Sequence, residues 1–346
     1  MRGLLLVGTY TEEMPHVLGR ANGVVLAEYD GTIGAARTTP LRNPSWLTAS
    51  PDGERVYAVV EAGGGDAGEV AVLSVVDGAL LLDQRVSSAG REPAHLALDP
   101  TGRFLLVANY DDGRVAVLPL RPDGRVDSPV HVVQHRGASA HPVRQTGPHP
   151  HQIVPDARTG NILVTDLGID AIISYSLDAS GVLAERGRVS LPAGSGPRHM
   201  VLHPDGERAI VANELASTVA VLSRAGETFV VESITSTVPA GHARPNHASA
   251  VAVTSDGGTV YVSNRGHDSI AVFSWDDGAL RPIQFEPTRG RTPRDFTLAP
   301  DESLLHVGNQ DSDSIVTFTR SADGRLHYRD EVSVRTPVCL VIVPSR

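Results

Sequence analysis

Two recurring positions in this chain collect groups that could do chemistry. One follows a repeated proline and holds Arg198, with His199 beside it, and Arg294; His151 falls there when counted back fifteen residues from Asp166. The other closes a repeated apolar run and holds Asn109-Tyr110, Asp166, Glu214, Arg265 and Asn309-Gln310. An imidazole titrates near neutral pH and exchanges protons, while a guanidinium holds an anion or a developing oxyanion. The candidates for chemistry are therefore His151, its neighbour His149, Arg198 and Glu214. Substrate contacts are expected from Arg265, Arg294, Asp166, Asn109, Tyr110, Asn309, Gln310 and His199.

Something must bring residues so far apart in sequence to one place, and the prolines show what it is. Pro44, Pro93, Pro148, Pro197, Pro245, Pro293 and Pro337 recur at intervals of 44 to 55 residues. Each opens a phrase such as PRHMVLHPDGERAIVANELASTVAVL, in which short apolar runs are broken by Pro-Asp-Gly and by an Asn-containing turn. Runs of five to seven Val, Ile, Leu and Thr residues dominate, and helical spacing is scarce, so the chain is expected to be all β. The repeat predicts a seven-bladed β-propeller with four-stranded antiparallel blades, forming a single domain over residues 1–346.

The ends predict how the ring shuts. TPVCLVIVP matches a first strand and LLLVGTYT a second, so the C-terminal strand should pair with the N-terminal one and complete blade seven. In each blade the start of the first strand lies beside the end of the second, which sends both recurring positions to one mouth of the central channel.

A structural role competes at each position. The recurrent asparagines could cap turns, Arg198 and Arg294 could neutralise Glu214 or Asp166, and His199 and His203 could be packing residues. Asp52, Asp205, Asp256 and Asp301 belong to outer turns. Five of the fourteen histidines, His131, His135, His141, His149 and His151, lie in the longest interval, which with Arg144 could wall a pocket. His149 and His151 are spaced to share a strand face, but no acidic or cysteine partner stands at ligand spacing, so a metal is not expected.

Net charge is −10 with pI near 5.7, and no basic run stands out, so nucleic acid is not an expected partner. The N-terminus enters a strand directly, which argues against a signal peptide and a membrane span and points to a cytoplasmic protein. Cys339, the only cysteine, lies in an apolar run as a buried structural thiol.

Across nearly the whole chain the phrases VGTYT, HPHQ with TDLGID, GPRHMVLHPDG with VANE, SNRGHDSI, and PRDFTLAPDE with GNQDSDSI resemble the seven-bladed propeller lactonases, which include bacterial propeller-type 6-phosphogluconolactonase and fungal carboxymuconate lactonising enzyme. The resemblance implies a cofactor-free site with a histidine, an arginine and a glutamate: His149 or His151, Arg198 and Glu214, with Arg265 as a further cation. It implies a small anionic lactone as partner, 6-phospho-D-glucono-1,5-lactone first. In that reaction His151, or His149, would be the general base, Arg198 would hold the oxyanion, Glu214 would orient Arg198 or the imidazole, and Arg265 or Arg294 would take a phosphate. A cycloisomerase acting on a carboxylated muconate and a non-enzymatic ligand- or protein-binding propeller are the alternatives.

Overall fold

A computed structural model describes residues 3–63 and 65–344. Seven four-stranded antiparallel sheets follow one another along the chain. Blade two is representative: Pro93–Leu98, Phe104–Asn109, Arg114–Pro119 and His131–Gln134 pair in sequence order, joined by tight turns. Blade seven is made from both ends, with Pro337–Pro344 paired to Gly3–Thr9, then Gly23–Tyr29 and Ile33–Pro40. The first strand of each blade touches the first strands of its two neighbours all the way round, including Pro337–Pro344 against Leu47–Ala49 of blade one. Ring closure is therefore as the sequence predicts.

Alternating apolar side chains on each blade face bury themselves against the next blade, giving seven inter-blade cores. Cys339 is fully buried in the core between blades seven and one. Among the described residues no helix is long and apolar enough to cross a membrane.

One register irregularity positions the site. First and second strands pair Pro93 with Asn109, Pro150 with Asp166, Pro197 with Asn213 and Pro293 with Asn309, and each register then skips one residue. The skipped residues are Ala94, His151, Arg198 and Arg294. A bulge leaves its extra residue out of the ladder and re-aims the side chain, here toward the channel. Blade three corrects the expected repeat in one respect: its strand opens at Pro150, two residues beyond Pro148. His151 nevertheless falls at the expected place, because it is counted from Asp166.

Candidate functional site

The recurring positions meet in a cavity of ≈ 450 Å³ at one mouth of the channel. Its wall includes three bulge residues, Ala94, His151 and Arg294, and four residues at or just beyond the ends of second strands, Glu61, Tyr110, Glu214 and Arg265. A larger hollow of ≈ 690 Å³ on the outside of blade seven is lined by Glu28, Asp30 and neighbours, with no cation among the described residues, so the arginine-lined cavity is the candidate.

Glu214 is the centre of charge. Its backbone N–H is held by Gly196 O at 2.7 Å, and its side chain is 3 % exposed. Arg144 Nη2 donates to Oε1 at 2.9 Å, while Arg198 Nε and Arg265 Nη2 stand 3.1 and 2.6 Å from Oε2. Burial would raise the carboxyl's pKa, but Arg265, Arg144 and Arg198 outweigh it and hold the group well below the usual carboxylate range. Arg198 Nε, Arg265 Nε and Arg265 Nη2 are buried without an aligned hydrogen-bond acceptor among the described residues. Their contact with Glu214 is charge pairing.

On the opposite wall Arg294 Nη2 lies 3.2 Å from Tyr10 Oη, with the guanidinium 5.4 Å from the ring centroid. Tyr10 donates to Glu61 Oε2 at 2.7 Å, and Ser45 Oγ donates to the same oxygen. Burial raises the Glu61 pKa, and Arg294, Ser45 and Tyr10 oppose that rise. Four guanidiniums, Arg144, Arg198, Arg265 and Arg294, thus gather with the buried carboxylates Glu61 and Glu214 and with Glu92, which also lines the cavity. Excess positive charge in a desolvated site is costly until an anion enters. Every cation here is an arginine, as are all 30 Lys+Arg residues of the chain. The fork geometry and permanent charge of arginine suit carboxylate and phosphate oxygens.

His151 lines the cavity with its ring edge-on to Tyr110 at 5.7 Å and to His199 at 5.3 Å. Burial, reinforced by Arg198, Arg294 and Arg265, pushes its pKa well below the ordinary value, so the ring is neutral near pH 7. His149 stacks on Tyr110 at 4.4 Å and donates through Nδ1 to Tyr110 O at 2.8 Å, shaping the wall without lining it. Tyr110 accepts from Arg144 Nη2 at 2.9 Å, which draws the loop between blades two and three over the mouth.

Several expected substrate contacts are occupied elsewhere. Asp166 is wholly buried; it pairs with His135 Nδ1 at 2.7 Å and accepts the backbone N–H of His149 and Gly168 at 2.7 and 2.9 Å. His135 in turn meets Tyr175 Oη at 2.9 Å, so Asp166 anchors the histidine-rich loop. Asn109 donates to Ser88 O and Asn309 to Thr288 O, both at 3.0 Å, clasping each blade to the connection before it. A Cβ on Gly90 or Gly290 would lie 2.4 or 2.6 Å from these amides, which is why glycine stands there. Gln310 is buried and donates to Asp311. His199 lies deeper in the channel, 3.1 Å from Arg198 Nη1 and against Trp46.

The sequence reading missed His16, Glu92 and His247. His16 sits on a small hairpin, Glu13–Met14 and Val17–Leu18, pinned by Tyr10, Met14, Val17 and Val338. Residues 10–22 connect two strands that in blade two are joined by residues 110–113 alone, and that extra length was the available signal. His16 Nε2 stands 3.2 Å from Tyr10 Oη, and burial with Arg294 lowers its pKa to about 3. His247 is partly buried near Glu214. Among the described residues no three His, Cys, Asp or Glu side chains gather to hold a metal ion.

Fold and site together define a seven-bladed propeller with an anion-attracting cavity beside a neutral buried histidine. The chain belongs to the lactonase, 7-bladed beta-propeller family, whose family model matches residues 4–342. It is 35% identical over 346 residues to a 6-phosphogluconolactonase of Bacillus subtilis, covering 96% of each chain. The solved structure of Pseudomonas aeruginosa periplasmic gluconolactonase, PpgL, superposes with TM-score 0.91 at 30% identity over 100% of both chains. A putative 6-phosphogluconolactonase from Bacteroides fragilis gives TM-score 0.90 at 26% identity, covering 99% of this chain and 98% of that one.

Proposed function

We propose that this chain hydrolyses a sugar δ-lactone, with 6-phospho-D-glucono-1,5-lactone as substrate and 6-phosphogluconate as product. The observation that carries this reading is the group of four arginines, Arg144, Arg198, Arg265 and Arg294, gathered at the cavity of a lactonase-family propeller. Water attacks C1 of the lactone, the carbonyl oxygen becomes an oxyanion, and the ring C1–O5 bond then breaks. Arg198, whose guanidinium is oriented by Glu214, holds the oxyanion. His151, neutral at working pH, accepts a hydrogen bond from the attacking water. Arg265 and Arg294 take the phosphate.

A phosphate dianion does not cross a bilayer unaided, so the enzyme must share its substrate's compartment. Our reading is of a cytoplasmic activity within the pentose phosphate pathway. In the test, protein is given 6-phosphogluconolactone and acid release is followed. Hydrolysis should exceed the spontaneous rate, persist with chelator, and fall at least tenfold with glucono-δ-lactone. Equal rates on the two lactones would instead favour an unphosphorylated aldonolactone, a second reading supported by the likeness to the Pseudomonas gluconolactonase and by Glu214 already engaging three of the four arginines.

A further inference from the structure

We propose that Glu92 is the base that takes the proton from the attacking water, an inference that rests on the lactonase reading above. Glu92 lines the same cavity as His151, Arg265 and Arg294. Its place in the fold sets it apart from its counterparts. In five blades the residue before the repeated proline adopts a left-handed backbone: Asn43 (φ 38°), Glu92 (φ 48°), Gly196 (φ 64°), Thr292 (φ 58°) and Thr336 (φ 44°). In the other three of these five blades where that residue carries a polar side chain, the side chain is hydrogen-bonded. Asn43 accepts Thr11 N–H at 2.8 Å, Thr292 Oγ1 donates to Asp311 at 2.5 Å, and Thr336 Oγ1 accepts Arg20 N–H at 3.0 Å.

Glu92 is the exception. Its backbone carbonyl is bound by Tyr110 N–H at 2.9 Å, which fixes the residue, yet among the described residues its carboxylate has no hydrogen-bond or ion-pair partner. The nearby Arg91 is turned to Asp111 at 2.7 Å. Glu92 shares the left-handed turn of the repeat, is anchored by its backbone, and brings an unpaired carboxylate to the cavity wall beside Glu61 and Asp111. Burial, then the charges of Glu61 and Asp111, outweigh Arg91 and raise its pKa to about 7. The other charged or titratable groups of that cavity are His16, Glu61, Tyr110, Arg144, His151, Glu214, Arg265 and Arg294. A base poised near the working pH is more effective than His151, whose pKa lies well below it.

The step balances without a co-reactant. Water adds to C1, its proton passes to the Glu92 carboxylate, and the carbonyl electrons move to the oxyanion. The oxyanion then re-forms the carbonyl, the C1–O5 bond breaks, and O5 takes the proton back from Glu92. The new acid ionises in solvent.

Wild type, E92Q and E92G are compared on 6-phosphogluconolactone and glucono-δ-lactone. Glycine suits the left-handed backbone, so E92G keeps the fold, and a melting curve verifies this. Both variants should lose roughly a hundredfold in kcat with KM within about threefold. The wild-type acid limb near pH 7 should vanish, and added formate should restore turnover to E92G. Unchanged kcat, a loss confined to KM, or a retained acid limb would overturn the assignment while leaving the lactonase reading intact. A wild type that hydrolyses neither lactone would overturn both.

Discussion

At Glu214 one carboxylate anchors three guanidiniums, and this sets what its removal should do. Glu214→Gln keeps the shape but leaves Arg198 and Arg265 buried without their counter-charge. We expect kcat to fall by about 10²–10³-fold, through loss of Arg198 orientation, and stability to fall by about 3 kcal/mol. Turnover and urea midpoints measured together check both. His151→Ala should lower kcat by about a hundredfold, and near-wild-type turnover would remove it from the reaction. The bulge positions of Arg198 and Arg294 were legible in the sequence because each follows the repeated proline, and that of His151 because it lies fifteen residues before Asp166. Asn109, Asn309 and Asp166, expected as substrate contacts from the same repeat, are engaged within the walls instead. A repeat marks where a backbone points but not which neighbour a short amide or carboxylate meets first, and here each finds a carbonyl, histidine or backbone N–H within its own wall. Glu92 escaped because nothing in sequence announces a left-handed glutamate.

Among the elements, the C-terminal strand carries the most consequence. Pro337–Pro344 pairs with Gly3–Thr9 along its length, and its side chains enter the cores on both sides of blade seven. Deleting Val338 to Val343 would open two edges and strip Cys339 and Leu340 from those cores. The truncated chain should lose cooperative thermal unfolding, as followed by circular dichroism; an unchanged melting curve would contradict closure by this strand. Strand positions were readable from proline, glycine and apolar spacing, since those signals are local. The hairpin that brings His16 to the cavity was not, because its placement depends on packing of Met14 and Val17 against Tyr10 and the distant Val338.

Across the whole molecule, several buried imidazoles tie stability to pH. Burial lowers the pKa of His95 to about 3 and of His306 to about 4. Each is neutral in the folded state and protonates near 6.5 when unfolded, so its contribution is present above pH 6.5 and is lost as pH falls toward 4 and 3. Together they account for several kcal/mol, on the order of 3–5 each. Asp295 and Glu92 act in the opposite sense: burial raises each to about 7, so their contribution is lost as pH rises from about 4 to about 7. The lowered imidazoles, His16, His95, His151, His199 and His306, outnumber them, and denaturant unfolding should give greater stability at pH 7 than at pH 5. Asp295→Asn should steepen that difference; a flat profile would show that the histidines are not held neutral.

The all-arginine cation set bears on self-modification. An aldonolactone acylates amines as readily as it meets water, forming a stable amide, and a lysine near the cavity would be consumed by the substrate it served. Guanidinium groups stay protonated and do not attack, so a chain without lysine offers its substrate no side-chain amine. Incubated with excess lactone, the protein should gain no side-chain adduct by mass spectrometry, whereas a variant with the exposed Arg103→Lys should gain one.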